Sequence, residues 1–448
     1  MLNKRVIAFT SIAVNYIPLA RVLGRSIKRF HPEWHLVLAL ADCKPGWLNI
    51  NNEPFDEVIS ISDIDIGNNS SWIFSHDIEE LCTAIKPFMM SSLLCRDGVY
   101  ACLYFDPDMV LFDRLDDLLE NFSDADILLT PHQTEPEPTR SGIIDNEVGS
   151  LRHGIYNLGF LGVANTSTGK ALLSWWRERV FEFCLARVDL HLWTDQKWFN
   201  HVPVFFDRVI TLKSQRFNVA PWNLSRRHLT RSSNGQYLIN GKPLGFYHFS
   251  GFNSGDHSVQ ASRYAPDNYD VAHLLLWYSN QLEIERHSIT KTPWAYEKYS
   301  NGESIRWIHR LIYRYRQDLQ SAFPDPFDAN GFYKWISTQG EVEYGELIHF
   351  IEDRKLDIPE IPKAEWLKWF PPEFSSSISS RKSQKIYGVS QTMNIHSLGK
   401  RQGTVTKVIR LAAMSIKSSE QRKTIWRAAK YVYKTHGMRG VLSKLRSH

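Results

Sequence analysis

Two carboxylates one residue apart follow a short apolar run in this chain. Residues 99–105 lead into Asp106 and Asp108, which are separated by Pro107. Side chains two apart on an extended chain point the same way, so both carboxylates can reach one point. Negative charges that close repel unless a cation lies between them, and Mg²⁺ and Mn²⁺ prefer oxygen ligands. The spacing favours a metal site at the carboxyl end of a strand, where open α/β sheets bind ligands. A solvated turn explains this pair alone equally well.

Three further stretches carry groups that could complete such a site. One predicted strand contains Asn157, which can donate and accept hydrogen bonds, and Gly159, which either lets a ligand approach the backbone or marks a bulge. Asp195 and Gln196 could together bind sugar hydroxyls, although capping of a helix explains Asp195 more simply. His248 lies between aromatic residues on another predicted strand, either as a core histidine or as a third metal ligand.

Alternating patterns of strands and helices surround these motifs in the first half of the chain. Apolar runs predict strands over residues 6–10, 35–41, 57–61, 99–105 and 125–129. Apolar residues at helical spacing predict helices over 16–30 and 78–94, the latter with a kink or a second start at Pro87. Because this alternation is typical of a mostly parallel sheet with helices on its faces, the sequence predicts an α/β domain over residues 1–267.

The pattern changes after residue 268, where predicted helices follow one another. Apolar spacing predicts helices over 271–282 and 305–319, within a helical extension over 268–374. A Ser-rich linker and a basic amphipathic tail form the third predicted region, 375–448. Residues 381–448 hold 16 Lys or Arg and one acid, Glu420, a net charge of +15. The remaining 380 residues hold 37 basic and 47 acidic groups, a net charge of −10.

The charge of the tail predicts an anionic partner. A basic helix with apolar residues at helical spacing is typical of contact with an anionic membrane surface. A helical subdomain whose basic face is merely solvated explains the pattern equally well. Nucleic acid is not expected as a partner, because the rest of the chain is acidic.

Cysteine usage and apolar content indicate the compartment. The five Cys form no Cys-x-x-Cys pair, which predicts free thiols in a reducing compartment. The N-terminal apolar run is too short for a signal peptide, and no run of about 18 apolar residues predicts a membrane span. We therefore expect a cytoplasmic protein, with a possible peripheral contact of its tail at the inner face of the membrane.

The order of the motifs resembles that of the GT-A glycosyltransferases, in particular the retaining enzymes of the glycogenin and lipopolysaccharide galactosyltransferase kind. The resemblance covers residues 4–265, and each motif alone is weak, whereas five in the family order are specific. In chain order they are a helix opening with Asn15-Tyr16, then Asp106-Pro107-Asp108, Asn157-Leu158-Gly159, Asp195-Gln196 and His248-Phe249-Ser250-Gly251.

The resemblance implies a GT-A, Rossmann-like nucleotide-diphospho-sugar transferase domain with a helical C-terminal extension. It implies Mn²⁺ or Mg²⁺ held by Asp106, Asp108 and His248, and catalytic roles for Asp195 and Gln196. The donor would be a nucleotide sugar, UDP-hexose by default, and the acceptor a glycan or a lipid-linked molecule. The implied donor-binding residues are Thr10, Asn15, Tyr16, Asp42, Lys86, Asp106, Asn157, Gly159, Asn218, Trp222 and Arg263.

The chain departs from the family pattern at one position. A Lys that holds a phosphate follows the His–Gly element in those enzymes, whereas residues 252–257 contain none. The resemblance then leaves Lys86, Arg263 or backbone N–H groups to meet the diphosphate. Asp195-Gln196 is not the paired acidic motif of inverting relatives, so retention is favoured, with Asp195 as the candidate base for inversion. A looser resemblance, through residues 217–223 and 248–252, is to bacterial surface-polysaccharide glycosyltransferases.

Three other functions stay open. An Asp-x-Asp phosphatase would use Asp106 as a nucleophile, but such enzymes usually carry the motif on the first strand. A sugar-nucleotide pyrophosphorylase would need a Gly-rich loop after the first strand, and residues 9–14 contain no glycine. A non-catalytic membrane or partner-binding protein would account for the tail but leaves the ordered motifs unexplained.

Overall fold

The structure is a computed structural model that describes residues 5–67, 69–286, 292–354 and 363–370. The predicted linker and basic tail, 375–448, lie outside the described residues. The strands are β1 Arg5–Ile12, β2 His35–Leu40, β3 Glu57–Ser60, β4 Val99–Phe105, β5 Met109–Leu111, β6 Ile127–Pro131, β7 Tyr156–Ala164, β8 Val209–Thr211, β9 Leu229–Arg231, β10 Tyr237–Ile239, β11 Lys242–Pro243 and β12 Phe246–His248.

The α-helices vary widely in length. They are α1 Ile17–Phe30, α2 Asn69–Phe74, α3 Ile78–Ala84, α4 Lys86–Leu94, α5 Asp116–Glu120, α6 Arg140–Gly142, α7 Val148–His153, α8 Ser167–Phe183, α9 Val202–Phe205, α10 Asp256–Tyr264, α11 Tyr269–Arg286, α12 Trp307–Tyr315, α13 Gln317–Ala322, α14 Lys334–Ile336, α15 Gln339–Arg354 and α16 Lys363–Trp369. None of these described helices is long and apolar enough to cross a membrane.

A seven-stranded sheet organises the first half of the chain. Its strand order is β3-β2-β1-β4-β7-β6-β8. Every neighbouring pair is parallel except the two that involve β7, which runs antiparallel to β4 and β6. The predicted α/β class with a mostly parallel sheet is therefore confirmed, and so is the helical character of the region after β12.

The central strands are buried on both faces, as expected for strands of continuous apolar sequence. Along β1, Ile7 and Phe9 lie in the apolar cluster on one face, and Val6 and Ala8 lie in the cluster on the other. Helices α4 and α8 pack on the first face and α1 on the second. The strand ends are therefore held rigidly, and they position the polar residues that follow them.

Two predicted helices are each divided in the structure. The predicted helix 78–94 is α3 followed by α4, with Pro87 near the start of α4, where its missing N–H leaves no hydrogen bond unmade. The predicted helix 305–319 is α12 followed by α13, and Arg316 between them has a non-helical backbone. The second start predicted at Pro87 is therefore confirmed, whereas the break at Arg316 was not predicted, because apolar spacing does not register a single non-helical residue.

The C-terminal helices share an apolar cluster with Phe74 and Leu190 of the sheet domain, and polar contacts add to this attachment. Nη1 of Arg310 donates to the carbonyl oxygens of Phe74 and His76, each at 3.1 Å. Arg314 forms an ion pair with the buried Glu80 at 3.1 Å. The predicted boundaries at residues 267 and 374 stay predictions.

Candidate active site

A two-stranded ladder brings the histidine to the carboxylates. Asp106 and Asp108 follow the end of β4, and β5 begins immediately after them. In the antiparallel pair of β12 and β5, His248 lies opposite Met109. The next backbone N–H, that of Phe249, donates to the carbonyl oxygen of Asp108 at 2.8 Å. The imidazole of His248 is therefore placed at the carboxyl end of β4.

The three side chains form a compact cluster. One ligand atom from each of Asp106, Asp108 and His248 lies within 4.8 Å of the other two. Nε2 of His248 is 3.1 Å from Oδ1 of Asp108 and 3.8 Å from Oδ2 of Asp106. Burial opposes protonation of His248, but the two carboxylates outweigh it and raise the pKa of the imidazole. Burial likewise opposes ionisation of Asp108, but His248 outweighs it and lowers the pKa of this carboxyl.

A chain of hydrogen bonds orients the His248 ring. The backbone N–H of Leu158 donates to Oε1 of Gln196 at 3.1 Å, so that side-chain atom must be the oxygen. Nδ2 of Asn157 donates to the same oxygen at 3.2 Å, which turns Oδ1 of Asn157 towards Nδ1 of His248 at 3.1 Å. Because an amide oxygen only accepts, Nδ1 carries a ring proton, which leaves Nε2 facing the carboxylates, where it can give its lone pair to a cation held among the three side chains.

The cluster fits a divalent cation. Two carboxylates and one imidazole nitrogen are a donor set found around such ions, and the ring is held by its other nitrogen, as is usual for a metal-bound histidine. A Cβ at position 159 would lie 2.6 Å from Cε1 of His248 and 2.5 Å from Cε of Met109, so only glycine leaves room for this ring. Gly159 therefore acts here through packing of the histidine.

Lys86 and Asp195 form the other side of the site. Nζ of Lys86 is 3.6 Å from Oδ1 of Asp106 and 3.6 Å from Oδ2 of Asp195, and it lies over the ring of Tyr104. Burial opposes the charge of Lys86, but Asp195 and Asp106 outweigh it and raise the pKa of the ammonium. Burial raises the pKa of Asp195 to about 6, an effect that Lys86 opposes and Asp106 increases. The hydroxyl of Tyr104 donates to Oδ1 of Asp106 at 2.5 Å.

Asp195 does not cap the helix that follows it. Its side chain makes no capping hydrogen bond to the 3₁₀ helix Gln196–His201. Among the described residues, its buried Oδ2 has no hydrogen-bond partner. A buried polar atom without a partner is uncommon and calls for an explanation, such as a ligand that is not part of the chain.

A cavity of about 850 Å³ joins the two sides. This volume is within the usual range of ligand pockets. The walls contain most of the residues proposed from the sequence, namely Asn15, Tyr16, Lys86, Asp106, Asp108, Asn157, Gly159, Asp195, Gln196, Trp222 and His248.

Four residues proposed as donor contacts do not line this cavity. Thr10 and Asn218 are fully buried, and Asp42 accepts hydrogen bonds from the backbone N–H groups of three residues, Val14, Cys43 and Ala295. Arg263 is exposed and pairs with Asp145. Asp42 thus holds two loops together, and Arg263 joins α10 to the residues before β7.

The cavity also contains residues that the sequence did not single out. They are scattered along the chain and include Glu79, Tyr104, His132, Asp145, His153, Trp193 and His257. Tyr104 and Trp193 lie just before the quoted motifs that begin at Asp106 and Asp195, and His153 and His257 lie within a few residues of two others. Their proximity to motifs is the only sequence signal for them.

Comparisons with known proteins find two sequence relatives and several similar solved structures. No protein-family model matches the chain. Two Bacillus subtilis (strain 168) proteins, both described as uncharacterized, are similar in sequence. YfnD is 29% identical over 256 residues, covering 56% of this chain and 70% of YfnD. YfnF is 26% identical over 179 residues, covering 40% of this chain and 58% of YfnF. The match thus spans less than two thirds of the length of YfnF.

Similar solved structures are glycosyltransferases. A galactosyltransferase, LgtC, in complex with donor and acceptor sugar analogues, has a TM-score of 0.37 and 16% identity, covering 64% of this chain and 97% of LgtC. The glycosyltransferase GlyE of Streptococcus pneumoniae TIGR4 has a TM-score of 0.37 and 16% identity, covering 66% of each chain. Because these TM-scores are below 0.5, the functional assignment depends on the geometry of the site in this chain.

Proposed function

We propose that this chain is a metal-dependent GT-A glycosyltransferase that moves a sugar from a nucleotide-diphosphate donor to an acceptor hydroxyl. The observation that carries the proposal is the cluster of Asp106, Asp108 and His248, with Nε2 of the histidine turned to the carboxylates inside a large cavity. UDP-hexose is the default donor, and a glycan or a lipid-linked molecule is the acceptor. Both rest on the motif resemblance.

The proposed roles divide between the two sides of the cavity. Asp106, Asp108 and His248 would hold Mn²⁺ or Mg²⁺, which when bound neutralises a diphosphate leaving group as a Lewis acid. Lys86 adds a buried positive charge beside Asp106 and keeps Asp195 oriented. The unpartnered Oδ2 of Asp195 would accept a hydrogen bond from a donor hydroxyl.

Retention of anomeric configuration is the proposed outcome. Transfer passes through an oxocarbenium-like centre, which a nearby carboxylate stabilises. Asp195 is the carboxylate proposed for this, because Asp106 already accepts a hydrogen bond from Tyr104 and belongs to the metal-ligand cluster, whereas Oδ2 of Asp195 accepts no hydrogen bond from a described residue. NMR of the first product formed reports the anomeric configuration. An inverted product would instead make Asp195 the base that takes the acceptor proton.

The phosphatase alternative needs an accessible Asp106 nucleophile. Here the carboxylate of Asp106 receives a hydrogen bond from Tyr104, and the motif follows the fourth strand of the chain. Both features favour a ligand role over nucleophilic attack. We also propose that the protein acts in bacterial surface-polysaccharide synthesis, at the cytoplasmic face of the membrane. That setting rests on the looser motif resemblance and on the charge of residues 381–448.

A hydrolysis screen tests the proposal. The full chain is incubated with a panel of nucleotide sugars and Mn²⁺, and release of nucleoside diphosphate is measured with and without excess chelator. We expect release from at least one nucleotide sugar, and its loss in chelator. Phosphate release from simple phosphomonoesters, without nucleotide-sugar cleavage, would instead identify a phosphatase.

A further inference from the structure

Segment 139–155 is part of the connection between β6 and β7. Its apolar side chains face solvent and its polar side chains face the protein, which is the reverse of a usual surface helix. Its helical turns expose Ile144 (48%), Val148 (50%) and Leu151 (67%), spaced by four and three residues, and Ile155 (45%) follows. We call these four residues the outer stripe. Surface helices of soluble proteins normally turn such a stripe to the core and leave polar residues outside.

The inner face of segment 139–155 is polar and firmly attached. The buried side chain of Asn146 donates to Oε1 of Glu137 at 2.7 Å, and Ser225 donates to the same oxygen at 2.8 Å. Asp145 pairs with Arg263 and accepts a hydrogen bond from Tyr264 at 2.7 Å. The outward orientation of the apolar residues is therefore fixed by polar bonds on the opposite face.

The same inner face forms part of the wall of the candidate active site. Asp145, Asn146, Gly149, Ser150 and His153 line the cavity that contains the Asp106–Asp108–His248 cluster. Whatever covers the outer stripe is consequently separated from the cavity by the thickness of one helix. An apolar surface at this position points to an occupant that delivers a substrate.

The charges of segment 139–155 favour an anionic occupant. Arg140 and Arg152 are exposed towards its two ends, whereas its two acids are engaged, Asp145 with Arg263 and Glu147 with the backbone N–H of Glu137 at 2.6 Å. Residues 1–380 have a net charge of −10, so exposed Arg beside an apolar stripe departs from the rest of this region. A second copy of the chain would bring the arginines of two stripes together.

We propose that the outer stripe docks on an anionic lipid bilayer and that the acceptor is a lipid-anchored molecule presented there. Isoleucine, valine and leucine enter the boundary between headgroups and acyl chains, while flanking arginines contact anionic headgroups. The acceptor part of this inference rests on the proposed glycosyltransferase function, whereas the docking part does not.

Vesicle flotation of the full chain tests the docking. Wild type is compared with the double variant Val148→Asp, Leu151→Asp on phosphatidylcholine vesicles with and without phosphatidylglycerol, at low salt. We expect wild type to float with the anionic vesicles and the double variant to partition at least about tenfold less, because apolar insertion is lost and two anions are added. Both positions are exposed, so equal melting temperatures should show that the fold is retained.

A matched control separates the stripe from net charge. Ile284→Asp, Val342→Asp adds the same two charges at exposed apolar positions on α11 and α15. We expect its partition to stay within about twofold of wild type, since charges distant from the surface are screened. Equal losses in both double variants, or no loss in either, would overturn the inference. So would a wild-type protein that does not float, or a dimer that only Val148→Asp, Leu151→Asp dissociates.

A second readout keeps this test independent of the proposed function. Hydrolysis of a water-soluble nucleotide sugar without vesicles should proceed equally in wild type and in Val148→Asp, Leu151→Asp, because neither residue lines the cavity. If neither protein hydrolyses any nucleotide sugar while wild type floats and Val148→Asp, Leu151→Asp does not, the glycosyltransferase function fails and the docking stands. If both hydrolyse equally and neither floats, the docking fails and the function stands.

Discussion

The metal-ligand side of the cavity and the Lys86–Asp195 side differ in how fully their polar atoms are satisfied. On the first side, Nδ1 of His248 is 3.1 Å from Oδ1 of Asn157 and Nε2 is 3.1 Å from Oδ1 of Asp108, while Oε1 of Gln196 accepts from Asn157 and from the backbone N–H of Leu158. On the second side, Oδ2 of Asp195 is buried without a hydrogen bond from any described residue.

This difference indicates that the two sides bind different kinds of ligand: one side has its ligand atoms already oriented, and the other has a polar atom that lacks a hydrogen bond. A metal site gains affinity when its ligands are already oriented, because little order is imposed on binding. A buried carboxylate that lacks a hydrogen bond is costly, and it becomes worthwhile when a ligand supplies the missing donor. The first side therefore fits a resident cation, and the second fits a transient sugar.

The largest effect is expected from removing a ligand on the metal side. Asp108→Asn replaces a carboxylate with an amide, so Mn²⁺ affinity, measured by calorimetry, should fall by more than about 100-fold. Sugar transfer should fall with it. Asp116→Asn, an exposed carboxylate paired with Arg114, is the matched control and should change neither value. Unchanged Mn²⁺ affinity in Asp108→Asn would show that Asp108 is not a metal ligand.

Asp195→Asn should affect sugar transfer without affecting metal binding. Transfer should fall by about 10² or more, because the ionised carboxylate no longer faces the donor, while Mn²⁺ affinity stays within about threefold, as expected for a residue that is not a ligand. Since burial raises the pKa of Asp195 to about 6, the wild-type rate should rise as the pH rises through about 6. The variant should lose this limb of the pH profile. If the rate of Asp195→Asn still rises through the same pH range, a group other than Asp195 is responsible for that rise.

Two substitutions at Gln196 test whether the hydrogen-bond chain orients His248. Gln196→Leu removes the oxygen that fixes Asn157, so Mn²⁺ affinity should fall about 10- to 100-fold. Gln196→Glu keeps an acceptor for Asn157 and Leu158 and should lose much less. Binding of Mn²⁺ by electron paramagnetic resonance measures this without turnover. Unchanged Mn²⁺ affinity in Gln196→Leu would show that Gln196 does not act through the histidine.

The smallest effect is expected at Arg263, which the motifs place among the donor contacts. Its ion pair with Asp145 is exposed, and exposed pairs contribute about 0–1 kcal/mol. Arg263→Ala should therefore leave the KM for the nucleotide sugar within about twofold, given that small contribution. A large rise in KM would show that Arg263 turns into the cavity when the donor binds.

Much of the fold follows from local patterns in the sequence. Apolar runs identified β1, β2, β3, β4 and β6 to within a few residues, because strands buried on both faces have continuous apolar sequence. The antiparallel direction of β7 could not be inferred, since its apolar run reads the same in either direction. Pro87 indicated the second start within the predicted helix 78–94, whereas the break at Arg316 depends on a single residue that apolar spacing does not register.

The site was predicted in part for a related reason. Residues carried by short motifs, such as Asp106, Asp108 and His248, meet because each motif lies at or beside a strand end. Asp42 was not predicted correctly by the resemblance, which implied a donor contact, whereas its carboxylate accepts hydrogen bonds from three backbone N–H groups, one of them that of Ala295. Ala295 is 253 residues away from Asp42 in the sequence, so no local sequence pattern could predict this contact.

The central claim is that the Asp106–Asp108–His248 cluster holds a cation through which a nucleoside diphosphate binds. Calorimetric titration of the full chain with UDP, GDP, CDP and ADP, with Mn²⁺ and then with excess chelator, tests it most directly. We predict that at least one nucleotide binds with Mn²⁺ and that its affinity falls at least about tenfold in chelator, as the loss of a metal contact requires. Binding of equal strength in chelator, or no binding by any of the four with Mn²⁺, would contradict it.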